Sequence, residues 1–528
     1  MFPGCPSPVS RLAALTCGLL LGACTLSTRS LPEAARIAPD QGYRAEHLGR
    51  VPGREAALPG RYVILAFSGG GTRATALAQG VLREMGATPA PGRSDLSLLD
   101  AVDMVSSTSG GSVAASNFVL YGPAGYGRLH APDGFLRHDG IADLVGGVLN
   151  PANQLNYAFT SASRIETLPD MFRRTVLGGA TFADLRAAAP RHPPLLVLNA
   201  SDMATGQRFS FTQDQLDRIC IDLQQVSLAD ATAASAAFPI ALTPLPLPVH
   251  SPCKAQSSAE AQDIMEGFRL QAGFRASAAA YGPGCGGGGR GEVLFRSLPP
   301  DRAQALRQWH LLNLDPCGRP LPEDRRLRFV HLQDGGTADN LALSAPLEAI
   351  TGLGAEPRLA TALAAGEVRE VVILSVNARS QGPVTLGRDD ATPGVVSALL
   401  AAINTPIDGR SGGLLAELGA VEDVLRGRFA GASPGQPVPR VRVIPVDFER
   451  IADPACREAF QGIATSWTLR RQDTDALQEM ASAMLRADSR YLELAAQPAD
   501  REPGLARARS ACQRLQNPGD ERPLGFGG

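Results

Sequence analysis

The stretch Val105-Ser106-Ser107-Thr108-Ser109-Gly110-Gly111-Ser112 decides how the chain is read. An apolar segment from Val102 precedes it, and helical spacing from Val113 to Tyr121 follows. Ser109 therefore stands at a strand-turn-helix corner, which lifts a hydroxyl clear of the backbone when a small residue two places on lets the turn close. Gly111 fills that place. In the matching place before the serine, Ser107 stands where a G-x-S-x-G pattern has glycine.

Two distant stretches complete the pattern. Upstream, Arg61 to Phe67 is a short apolar run that reads as a buried strand, followed by Ser68-Gly69-Gly70-Gly71-Thr72-Arg73 and helical spacing from Ala74 to Met85. Downstream, Phe329 to Leu332 reads as a strand leading into Asp334-Gly335-Gly336-Thr337-Ala338-Asp339-Asn340. Strand, glycine turn, helix, strand, serine turn, helix is the order of an α/β fold with parallel strands. Leu195 to Ala200, Val371 to Val376 and Val441 to Val446 are further buried strands, and Gln207 to Phe211 is a hairpin partner of the first of these. Helices are expected at Leu228 to Ala237, Val395 to Ile403, Leu414 to Leu425 and around Leu477 to Leu485, with covering helices near Leu144 to Leu149 and Ile165 to Phe172. Pro244 to about Arg328 reads as a long loop or insertion containing a helix at Arg302 to Leu312.

Composition narrows the classes. The 528 residues carry 50 Lys+Arg against 52 Asp+Glu, so no basic excess points to nucleic acid. Lys254 is the only lysine, which excludes a P-loop, a Ser-Lys dyad or a Schiff-base lysine elsewhere in the chain. No Cys-x-x-Cys spacing or other metal-ligand cluster is evident, so no metal or cofactor is expected. Arg11, the apolar run Leu12 to Leu20 and Leu21-Gly22-Ala23-Cys24 read as an export signal too short to span a membrane. The segment resembles a bacterial lipoprotein signal, which implies lipidation of Cys24 and an envelope location, with Thr25 after it suiting the outer membrane. Of the six cysteines beyond it, Cys456 is expected to pair with Cys512, and two of Cys253, Cys285 and Cys317 with each other.

The chemistry would sit where the turns meet. Gly69, Gly70 and Gly71 expose backbone N–H groups at the positive end of a helix dipole, suited to the oxyanion formed when a serine attacks an ester. Gly69-x-Gly71-x-x-Ala74 also fits a dinucleotide fingerprint, but the second strand ends in Ser106-Ser107-Thr108-Ser109 and not in the acidic residue that holds ribose. Among the seven histidines, His331 is the nearest candidate base, although its alternating place in a strand suits a structural role. Asn199-Ala200-Ser201 matches a glycosylation sequon at a strand end and reads as structural.

Together the motifs resemble the patatin-like phospholipase family of lipid acyl hydrolases. The matches are Gly69-Gly70-Gly71-Thr72-Arg73, Ser107-Thr108-Ser109-Gly110-Gly111 and Asp334-Gly335-Gly336, supported by Asn199 to Phe211, Ala234 to Pro239 and Asp339-Asn340. The resemblance implies a three-layer α/β sandwich with a largely parallel central sheet, a Ser109–Asp334 dyad without histidine, and an oxyanion loop at Gly69 to Gly71. Gly111, Gly335 and Gly336 would support these turns. Arg73 would orient the loop or meet a lipid phosphate, against the plainer role of a surface ion pair. The substrate would be a lipid or other ester, with the membrane reached through the anchor. The expected layout is a signal at 1–23, a tether at 24–60, a catalytic domain at 61–350 with its insertion at about 244–328, an extension at 351–497 that completes the domain, and a loose tail at 498–528. The rival readings are a lipid-anchored scaffold that has lost activity and a triad esterase using a histidine such as His331.

Overall fold

The computed structural model describes residues 30–34, 41–142, 167–188, 192–239, 242, 244–251, 311, 313, 321–352, 354–379, 395–429 and 438–516. The expectations at Cys24, at Leu144 to Leu149, at Cys253, Cys285 and Cys317, and (Leu311 apart) at the helix Arg302 to Leu312 lie outside them.

The fold is mixed α/β, a central, mostly parallel sheet flanked by helices. Its strands are β1 (Arg61–Phe67), β2 (Val102–Thr108), β3 (Leu195–Asp202), β4 (Arg208–Phe211), β5 (Leu245–Pro248), β6 (Phe329–Asp334), β7 (Glu370–Asn377) and β8 (Arg440–Asp447). Their order is β8-β7-β1-β2-β3-β6-β5, with β4 also on β3. The five strands β8 to β3 run parallel, while β4 and β6 are antiparallel to β3, and β5 to β6. β1, β2 and β3 are buried almost throughout, as strands covered on both faces must be.

Register places the functional ends. Leu198 and Asn199 pair with both β2 and β4, so those two strands lie on opposite sides of β3. Ala200 and Ser201 pair with both β4 and β6, so β6 lies on the same side as β2. β2 ends at Thr108 opposite Asn199, and β6, running the other way, ends at Asp334 opposite Ala200. The two strands meet end to end along one edge of β3. Helix α1 (Gly71–Ala87) leaves β1 through the glycine run, and α2 (Gly110–Tyr121) leaves β2 at Ser109. Helix α3 (Leu228–Ser235) delivers Ser235 to the same edge.

Four elements differ from the expectations. The insertion does not begin at Pro244: Leu245–Pro248 is β5, paired with β6 from Leu245↔Leu332 to Pro248↔Phe329. Its two prolines are tolerated because β5 is the edge strand. The separate helices of 395–403 and 414–425 are one helix, α4 (Val395–Phe429), which runs through Pro406 and its glycines. Residues 41–60 are no free tether: Tyr43, Leu48 and Leu58 are buried, and the Tyr43 hydroxyl accepts the Leu196 N–H at 2.9 Å at the head of β3. The expected loose tail carries a helix. Helices α5 (Pro454–Gln461), α6 (Arg471–Ala487) and α7 (Glu502–Gln516) follow β8, and a Cys456–Cys512 disulfide ties α5 to α7. Gly504 lets α7 close on α6, since a Cβ there would fall 2.6 Å from Ala487 N. Cys220 is disulfide-bonded too, which the spacing did not suggest.

Candidate active site

Ser109 is set at φ 51°, ψ −126°, a strained conformation for a residue with a side chain and the one a strand-to-helix elbow demands. Its backbone is held as firmly as its torsions are unusual. The Ser109 N–H donates to Ser235 Oγ at 2.9 Å, and the Ser235 hydroxyl donates to the Asn199 carbonyl at 2.6 Å. Because that uses Ser235's one proton, Ser112 Oγ must donate to Ser235 Oγ across 2.9 Å, and Ser107 Oγ to Ser112 Oγ across 3.1 Å. Ser107, the departure from glycine, thus heads a buried hydroxyl relay that ends on the β3 backbone. Asn199 itself is wholly buried and ties β2 to β4: its amide donates to Ser106 Oγ and the Ser107 carbonyl at 3.0 Å, and its Oδ1 accepts from Ser210 at 2.9 Å. The sequon is structural.

Ser109 Oγ donates to Asp334 Oδ2 at 2.8 Å. The other carboxylate oxygen accepts the Gly336 N–H at 2.7 Å, an Asx-type turn that fixes the side chain as β6 ends. Gly335 and Gly336 admit that turn; a Cβ on Gly335 would fall 2.1 Å from the Asn199 carbonyl oxygen. No ion pair joins Asp334 to a cation among the described residues. Burial therefore dominates and pushes its carboxyl up to about 6, against the opposing pull of the Gly336 and Ser109 hydrogen bonds. Among the described residues no histidine hydrogen-bonds either partner, and His331 is exposed on the face of β6 opposite to Asp334's neighbours Leu332 and Val330.

The glycine run lies against this pair. Gly70 has φ 140°, and a Cβ on Gly69 would come 3.3 Å from Ser109 Cβ. The three N–H groups differ. That of Gly69 donates to the Asn340 carbonyl at 3.0 Å, whereas those of Gly70 and Gly71 have no acceptor among the described residues. The N–H of Gly110, first in α2, is likewise uncommitted and was missed from sequence, although a residue directly after a corner serine is a natural donor. Gly110 also sets the distance between the two turns: a Cβ there would fall 2.0 Å from the Gly71 carbonyl oxygen. Gly111 does the same beside Ser68, whose carbonyl oxygen would be 2.6 Å away. Gly110→Ala is accordingly expected to push the glycine loop off the serine and lower ester turnover by about a hundredfold, the scale of losing one oxyanion donor; a Michaelis–Menten comparison checks it.

Arg73 corrects an expectation. It is 1% exposed, so it forms no surface ion pair and reaches no lipid headgroup. Its guanidinium donates to the Ile463 carbonyl and, at 2.9 Å, to Thr465 Oγ1, while Thr72 N–H donates to the Ser466 carbonyl at 2.8 Å. The loop 463–466 before α6 thus buttresses the glycine run. Burial without a carboxylate partner lowers the Arg73 guanidinium to about 10.

Residues 65–257 match the family model described as patatin-like phospholipase; that span holds the glycine run, Ser109, Asn199 and Ser235 and stops short of Asp334. No curated protein matches the chain. Among solved structures, human GIVD cytosolic phospholipase A2 is 11% identical with a TM-score of 0.40, covering 90% of this chain and 69% of its own. The same human enzyme in complex with methyl gamma-linolenyl fluorophosphonate is 12% identical with a TM-score of 0.39, covering 90% and 67%.

Proposed function

We propose that the chain is a serine acyl hydrolase that cleaves carboxylic esters of lipids through Ser109 and Asp334. The observation that carries the reading is the 2.8 Å hydrogen bond from the strained serine to a buried carboxylate that has no cation at its side among the described residues. In the first step Asp334 accepts the Ser109 proton as Oγ attacks the ester carbonyl carbon. The oxyanion takes hydrogen bonds from the Gly70 and Gly71 N–H groups at the head of α1. Collapse expels the alcohol, which recovers the proton from Asp334 and leaves an acyl group on Ser109. Water then attacks the acyl-enzyme as Asp334 accepts its proton, and collapse releases the fatty acid while Asp334 returns that proton to Ser109 Oγ. A carboxylate is ordinarily a poor base for a hydroxyl; raising Asp334 to about 6 brings it nearer the working pH without any histidine. Lipidation at Cys24 would hold the enzyme beside its substrate at an envelope membrane, which radiolabelled palmitate incorporation lost in Cys24→Ala would demonstrate.

The deciding experiment treats the purified protein with a fluorophosphonate and locates the adduct by mass spectrometry. An adduct on Ser109 alone is expected; none on folded protein would leave the scaffold reading. Asp334 must be ionised to act, so kcat/KM should fall about tenfold per pH unit below 6 and level off above it. A pH profile flat from 4 to 8 would remove Asp334 as the base.

A further inference from the structure

A cavity of about 850 Å³ opens at the opposite end of α1 from the glycine run, between α1, the short helix Gly125–His130, α6 and α7. Arg83 in its wall is twelve residues along α1 from Gly71, about 18 Å of helix, so this space is separate from the serine. Five arginines line it: Arg83, Arg137, Arg486, Arg507 and Arg514. Among the described residues, three carboxylates face them. Glu84 is shared by Arg486 at 2.8 Å and Arg507 at 3.4 Å, Asp475 takes Arg137 at 3.1 Å, and Glu479 takes Arg514 at 3.3 Å.

Arg83 is left over. It has no ion pair among the described residues, and its one hydrogen bond goes to the neutral Gln478 oxygen at 3.1 Å. His130 lies beside it with a buried Nε2 that has no partner among the described residues. Burial first, then Arg137, holds that ring below its ordinary value. Five guanidiniums against these three carboxylates leave the described lining two positive charges in excess, the arginines coming from α1, α6, α7 and the short helix Phe135–Arg137, with the unsatisfied His130 nitrogen beside them.

We propose that this cavity binds an organic phosphate monoester. Two excess charges match a dianion, and guanidinium forks approaching from several directions suit a tetrahedral group with many acceptors better than a planar carboxylate. The volume leaves room for the organic part, being within the range of small-molecule sites. The site is independent of the reaction at Ser109. It is also held in shape covalently, since the Cys456–Cys512 disulfide pins the helix bearing Arg507 and Arg514.

The test is calorimetry on the full chain at low ionic strength with three probes: glycerol 3-phosphate, inorganic phosphate, and vesicles containing phosphatidic acid. Glycerol 3-phosphate should bind with a Kd below about 1 mM, and Arg83→Gln should weaken it at least tenfold while leaving the melting temperature of the free protein unchanged. The His130 ring resonances should shift in the wild type as the ligand is added. Vesicle binding weakened by the same substitution would assign the phosphate to a lipid headgroup, and binding of the soluble probes alone would assign it to a free metabolite. Failure of all three probes to bind, or binding that Arg83→Gln leaves intact, overturns the proposal. Neither result bears on fluorophosphonate labelling of Ser109, so the two readings fail separately.

Discussion

Ser109→Ala should reduce ester hydrolysis to background, a loss of about 10⁴-fold or more, because removal of a nucleophile leaves only the oxyanion donors and binding to assist water. The substitution takes away a single atom, the Oγ that donates to Asp334, and leaves the Ser109 N–H on Ser235. The elbow and its relay through Ser112 and Ser107 are therefore retained, and the circular dichroism spectrum should not change. Turnover of a medium-chain nitrophenyl ester by the two purified proteins gives the comparison. Activity in the variant within tenfold of wild type would place the chemistry elsewhere.

Asp334→Asn is expected to abolish turnover to a similar degree and, at the same time, to stabilise the protein. The carboxyl is raised from 3.8 to about 6 by burial. The folded state therefore holds the proton more tightly than the unfolded chain, and stability falls as pH rises through the window from about 4 to 6. Above that window the ionised group costs up to about 3 kcal/mol, taking 1.36 kcal/mol per pH unit. An asparagine can still accept the Gly336 N–H and meet Ser109, but it carries no charge to desolvate. The variant should melt a few degrees above wild type at pH 8 and level with it near pH 4. A variant that melts lower at both pH values would mean that the carboxylate is an ordinary structural partner. Loss of function joined to gain of stability is the signature of a group kept for chemistry.

Much of this site was legible because its parts are local. A strand, a glycine run and a helix start in consecutive residues at Phe67 to Arg73, and again at Thr108 to Ser112, so neighbouring types alone disclose the turns. What the sequence hid depends on contacts between distant segments. Arg73 looks like a surface cation until the loop at Ile463 to Ser466 covers it. Ser235 lies in an alanine-rich helix whose spacing is legible, but its role is not: it receives the N–H of the elbow from 126 residues away. β5 was concealed by Pro246 and Pro248, which an edge position permits. Helix α7 was concealed by its arginines and by a docking made through long-range contacts: one disulfide, a close approach at Gly504, the buried Ala511, and ion pairs to Glu84 and Glu479.

The end-to-end meeting of β2 and β6 has a bearing on how the proposed dyad is assembled. Ser109 and Asp334 are 225 residues apart in the chain, but their relative placement is measured out by two consecutive residues of β3, Asn199 and Ala200. A slip of β6 by one residue would carry Asp334 about 3.4 Å along that edge and turn its side chain to the other face of the sheet. Misaligned or half-assembled chains would then be inert. With the proposed dyad, activity would appear only once β6 has docked on β3 in its proper frame, and specific activity would then track the fraction of correctly assembled molecules.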